Sequence, residues 1–102
     1  MLTINKTENG DQTTFALSGR LDAGSAGQLE AELQPAFRHT KMLIFDLGDL
    51  QFISTDGLRV LLSAQKQMNR QGRMRLTNVG EAVMRRLETK GLAEIFSISD
   101  AE

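Results

Sequence analysis

The chain predicts an α/β domain built on a mixed sheet of four to five strands, with helices packed mainly on one face. Three observations lead there. Asn9-Gly10-Asp11 is strong turn chemistry between two short alternating segments. Met42-Leu43-Ile44-Phe45 is an unbroken apolar run of strand length, as expected of a strand covered on both faces. After the hairpin, segments of helical and strand periodicity alternate to the end of the chain. A hairpin needs only a tight turn, whereas parallel strands need long crossovers, so this order gives both kinds of pairing.

Each element has its own signal. Met1 to Thr7 alternates Leu2 and Ile4 with polar neighbours, and Thr13 to Arg20 carries Phe15 and Leu17 on one face. Leu21 to Ser25 leads into a helix, with Asp22 or Ser25 as its cap. Leu29, Leu33 and Phe37, with Ala26, Ala31 and Ala36 around them, make a stripe through about Ala23 to His39. Pro35 predicts an end or a kink there. The apolar strand covers Met42 to Asp46, the turn Phe52 to Gly57 follows, and a helix runs from about Thr55 to Arg70, with Gly72 placed to stop it. Met74 to Val79 alternates again. Gly80 to Lys90 has Val83, Met84 and Leu87 at helical spacing and Gly91 as a left-handed stop, and Phe96 with Ile98 predicts a short last strand or packed tail.

Composition narrows the function. With 102 residues, a formal charge of −1 and average apolar content, the chain fits one globular domain with a modest core. The balance of charge argues against a nucleic-acid binder. No apolar run approaches the roughly 20 residues of a membrane span. No secretory signal precedes the first strand, and cysteine is absent, so a cytoplasmic location is expected. No cofactor or metal is expected: there is no carboxylate ligand spacing, no G-x-G-x-x-G and no P-loop. A triad of Ser54, His39 and Asp46 lacks any nucleophile elbow, so hydrolase chemistry is set aside. Arg85, Arg86 and Lys90 read as solvated charge.

The informative turn is Phe52-Ile53-Ser54-Thr55-Asp56-Gly57. It delivers three oxygen-bearing side chains to a helix N-terminus, where unpaired N–H groups and the macrodipole make charge matter. Ser54, Thr55 and Asp56 also suit capping, and capping and contact with a partner are compatible.

Three segments resemble the STAS domain family over essentially the whole chain. Gly19-Arg20-Leu21-Asp22 is similar to its G-x-L-D segment, Leu43 to Leu47 to its buried strand ending in an acid, and Phe52 to Leu58 to its D-S-S-G-L signature. The resemblance implies a freestanding, non-catalytic anti-sigma factor antagonist. Such a protein binds a kinase-like anti-sigma factor, frees a sigma factor, and is released when that kinase phosphorylates it. A phosphate adds about −1.5 to −2 charge, which unseats a closely packed partner. The family's alternative is an accessory subunit docked on a membrane lipid or anion transporter.

The usual acceptor, the hydroxyl residue before the signature glycine, is here Asp56. Three readings stay open. Asp56 is a fixed mimic with about half the charge of phosphoserine; or the partner accommodates it, leaving a constitutive antagonist; or Thr55 or Ser54 accepts the phosphate instead. The expected partner surface is Ser54, Thr55, Asp56 and Gly57, with Arg59, Ser63 and Lys66 on the following helix and the loop from Asp22 to Ser25. Val60, Leu61, Leu62 and Met68 are expected in the core. A monomer or a weak dimer through the hairpin edge is expected.

Overall fold

The N-terminal hairpin closes through Gly10, at φ +66°, and Asp11 in the computed structural model, which describes residues 1–99. The elements are β1 (Leu2–Asn9), β2 (Gln12–Leu21), α1 (Ala26–Ala36), β3 (Met42–Ile53), α2 (Thr55–Gln71), β4 (Arg73–Thr77), α3 (Glu81–Thr89) and β5 (Ile98–Ser99). They form a five-stranded sheet in the order β1-β2-β3-β4-β5. β1 and β2 are antiparallel, and every later pair is parallel. That is the mixed α/β sheet the periodicities predict.

One face of this sheet carries the core. Phe15, Leu17, Leu43, Phe45, Leu47, Met74 and Leu76 are buried, whereas their neighbours Ala16, Ile44 and Asp46 are half-buried on the other face. Phe15 and Phe45 pair across β2 and β3 with ring centroids 5.9 Å apart. Leu29 and Leu33 of α1, Leu61 and Met68 of α2 and Leu87 of α3 complete the cluster. Polar locks join the ends. The Thr13 and Thr40 hydroxyls meet at 2.7 Å, and Thr40 donates onward to the Ala36 carbonyl. Gln71 donates to the carbonyls of Phe37 and Thr40, tying the end of α2 to the α1–β3 connection.

The largest departures from the expected boundaries are in α1 and β3, while β4 ends at Thr77 and not at Val79. α1 is shorter than the Ala23–His39 stripe, because Asp22 to Ser25 form a turn in which the Asp22 carbonyl accepts from the N–H groups of Ser25 and Ala26. Pro35 lies in its last turn, and the helix ends at Ala36. β3 is longer than Met42–Asp46 and absorbs Phe52 and Ile53, whose place in the sequence suggests a turn. Its register against β2 slips between Ala16 and Ser18 and again between Gly19 and Arg20, with the extra residue on β3 each time. Each bulge moves the buried phase by one, so Leu47, Leu50 and Ile53 face the core at a spacing of three. Gly91 is left-handed at φ +71°, as predicted for the stop after α3. His39 lies beyond α1, its Nε2 2.8 Å from Glu8, and with Lys6 holds that carboxyl below its ordinary range.

Phe45 is fully buried at the sheet centre. Phe45→Ala is expected to cost about 3–5 kcal/mol in urea unfolding. A loss under about 1 kcal/mol would contradict its place in the core.

Candidate functional site

β3 ends where α2 begins, and one serine makes the junction. Ser54 is extended, at φ −94° and ψ 177°, and takes the N-cap position of α2. Its N–H donates to the Leu21 carbonyl at 2.9 Å, which fixes it to the end of β2. Its Oγ accepts from the Gly57 N–H at 3.2 Å, and its carbonyl accepts from Leu58. The Ser54 hydroxyl oxygen thus satisfies one of the unpaired N–H groups of the helix start.

Thr55 is the first helical residue, and it is exposed. Asp56 follows, with Oδ1 3.1 Å from Nη1 of Arg59 one turn along the helix. The acid is 47% exposed and the arginine 71%, so this is a solvated pair that neutralises charge locally and adds little stability. Gly57 is buried beneath the turn. A Cβ there would sit 2.8 Å from the Leu21 side chain, 2.9 Å from Ile53 and 2.9 Å from the Leu21 carbonyl. The glycine therefore sets the close approach of α2 to the β2 and β3 ends, while Thr55 and Asp56 just before it face outward.

The Asp22 loop lies beside this turn. Asp22 Oδ1 accepts from the Gly24 N–H at 3.1 Å, and its Oδ2 is 3.8 Å from Arg20 Nε. Ser25 occupies the N-cap position of α1 but makes no side-chain cap bond. Its buried hydroxyl accepts from the Asp22 N–H and donates to the Arg20 carbonyl, both at 3.0 Å. Neither candidate cap serves α1; the two residues close their own loop. A cleft of about 410 Å³ joins the regions, lined by Ala23, Ala26, Glu30, Asp56, Arg59 and Val60. Ser63 and Lys66 are exposed further along α2.

The other side of the turn faces α3. Val60, Leu61 and Met68 are core residues, but Leu62 is half-buried and lines an apolar groove of about 230 Å³ with Thr55, Leu58, Arg59, Lys90 and Leu92. It packs against the core from its edge and is not, as expected from sequence, fully within it. Arg86 is also not solvated charge: it is half-buried, and its Nε donates to the Ile53 carbonyl at 3.1 Å. Its position in the sequence carries no signal for this, because the acceptor is a backbone atom 33 residues away.

The Ser54, His39 and Asp46 combination is not assembled. His39 precedes the 12-residue β3 and Ser54 follows it, while Asp46 accepts hydrogen bonds from Gly48 and Asn78. Among the described residues no group of three or more His, Asp or Glu is placed to hold a metal ion. No helix among them is long and apolar enough to cross a membrane.

Comparison with known proteins gives a consistent result. The STAS domain family model matches residues 3–102. BtrV of Bordetella bronchiseptica is 34% identical over 102 residues, covering 98% of this chain and 86% of that protein. The anti-sigma F factor antagonist of Paenibacillus polymyxa is 33% identical over 89 residues, covering 84% and 76%. The solved structure of the anti-sigma factor antagonist SpoIIAA in its unphosphorylated form superimposes with a TM-score of 0.87 at 20% identity, covering 98% of this chain and 89% of that one.

Two substitutions test the junction. Ser54→Ala is expected to lower unfolding stability by about 1 kcal/mol through loss of the cap. Gly57→Ala in an open helix would gain about 0.5–1 kcal/mol, but here it is expected to destabilise, because backbone and core side chains fill the space. A stabilised Gly57→Ala protein in thermal unfolding would contradict the packing described.

Proposed function

The chain belongs to the STAS domain family, and from that premise we propose that it is an anti-sigma factor antagonist binding a kinase-like anti-sigma factor through the Ser54–Asp56 turn. Relatives named as anti-sigma factor antagonists span nearly the whole domain and support this reading. The surface is the turn itself, Arg59 and Ser63 on α2, and the adjoining Asp22 loop.

One observation carries the treatment of the unusual acid: Asp56 is paired with Arg59 on its own helix, while Thr55 stands exposed beside it. A carboxylate already balanced within the chain adds little net field toward a partner, and the first turn of a helix favours a negative group. The unphosphorylated protein therefore binds with Asp56 in place. Ser54 Oγ is committed to the Gly57 N–H, which leaves Thr55 as the accessible hydroxyl. Phosphate on Thr55 would add about −1.5 to −2 charge beside Asp56, more than Arg59 alone balances, and would release the partner.

Pull-downs from source-cell lysate with mass spectrometry, then calorimetry with the recovered anti-sigma factor, test the proposal. Wild type and Asp56→Ser are expected to bind within about threefold of each other, because an exposed pair is worth little. Thr55→Glu is expected to bind about tenfold more weakly. Capture by Asp56→Ser or Asp56→Ala but not by wild type would make Asp56 a built-in off state and overturn the proposal that the protein binds with Asp56 in place. Retention of a membrane permease in place of any anti-sigma factor would replace it with the transporter-subunit reading.

A further inference from the structure

β3 outruns its neighbour. Pairing with β4 stops at Asp46 opposite Thr77, so from Gly48 to Ile53 the strand is hydrogen-bonded on the β2 side alone. Successive residues of a strand point their backbone groups to opposite sides. The Ser54 N–H points at Leu21 of β2, so the Ile53 carbonyl points away from β2, toward the side that β4 no longer covers. A carbonyl left unpaired there would cost about as much as a lost hydrogen bond. Arg86 of α3 fills the gap, with Nε at 3.1 Å.

The guanidinium is itself held in place. Phe52, half-buried, has Arg20 Cζ 4.3 Å and Arg86 Cζ 5.9 Å from its ring centroid. Arg20 in turn lies beside Asp22. A planar guanidinium can donate a directed hydrogen bond and lie against an aromatic ring at once, which a lysine ammonium does less well. A continuous set of contacts thus runs from α3 through Arg86, Phe52 and Arg20 to the Asp22 loop, touching the backbone one residue before the N-cap.

We propose that Arg86 is the positioning residue of the partner-contact turn: by closing the Ile53 carbonyl and resting on Phe52, it sets the frame in which Ser54 caps α2 and Thr55 and Asp56 face outward. The turn is held on one side by Leu21 and on the other by Arg86, so its geometry depends on where α3 sits. The assignment to partner contact rests on the antagonist reading above; the positioning of the turn does not.

Amide hydrogen exchange by NMR separates these two claims, with the Ser54, Gly57 and Leu58 amides reporting the turn and Leu43 and Phe45 reporting global opening. Arg86→Ala is expected to speed exchange at the three turn amides about tenfold relative to the core amides. Arg86→Lys, which keeps a donor and a charge and is the variant to use if Arg86→Ala folds poorly, is expected to recover part of the protection. Arg85→Ala, on the exposed neighbour paired with Glu81, is expected to leave the turn unchanged. Exchange that rises uniformly, or not at all, would overturn the positioning role. Affinity for the anti-sigma factor recovered with wild type should fall with the turn's protection in Arg86→Ala. Weaker binding with unchanged turn exchange would mean that Arg86 touches the partner directly, and also overturns positioning. Faster turn exchange with unchanged affinity would uphold positioning and count against the turn as the contact surface.

Discussion

The constraint on which the site depends is the unequal length of neighbouring strands. β3 has 12 residues and β4 has five. The excess carries the chain past the end of β4 before α2 starts, so the α2 N-terminus packs against the end of β2 on one side and has no strand beside it on the other. Backbone polar groups along the overhang must still be satisfied. β2 supplies partners on one side throughout, and on the other side a side chain from α3 reaches the last carbonyl. The two bulges in β3 belong to the same solution. They keep Leu47, Leu50 and Ile53 buried under a strand that is bending away from strict alternation.

Charge around the turn is settled locally. Asp56 is paired with Arg59, Asp22 with Arg20 and its own loop, and Ser54 with the helix start. Each of these three polar clusters therefore offsets much of its own charge, with Glu30 of the shared cleft lying outside them. On such a surface a new dianion stands out against its background, whereas a resident carboxylate does not. This is the physical sense in which an aspartate and a phosphate at neighbouring positions differ. The aspartate has a partner arranged for it in the fold, and a phosphate on Thr55 would exceed what that partner can offset.

The legibility of the chain varied with the range of the interactions involved. The hairpin turn at Gly10, the Ser54 cap, the Gly91 stop and the buried positions Val60, Leu61 and Met68 are read from residues within a turn or two of one another. Local propensity and local packing agree at those places. The far half of β3 is not legible in the sequence, because its bulges change the apolar spacing from two to three, and a spacing of three resembles neither a strand nor a regular helix. The start of α1 is misplaced by the sequence pattern for a related reason. Asp22 and Ser25 have the chemistry of caps, and only the closing of their loop onto Arg20 shows that their hydrogen bonds are spent elsewhere. Leu62 has the hydrophobicity of a core residue, yet in the fold it packs only at the core's edge, beside an open groove.

The sequence by itself determined the order of elements, the α/β class, the family resemblance and the position of the candidate turn, since each rests on periodicity, turn chemistry or residue identity within a short window. Tertiary structure alone decided which of the named residues face outward. Gly57 and Ser25 are buried, Thr55 and Arg59 are exposed, and the Asp22 loop shares a cleft with Asp56. It also decided the role of Arg86, whose partner is a backbone carbonyl freed only because β4 ends early. A backbone atom carries no residue identity, and the length of one strand relative to another is a property of the assembled sheet. For both reasons that contact could be seen only once the chain was folded.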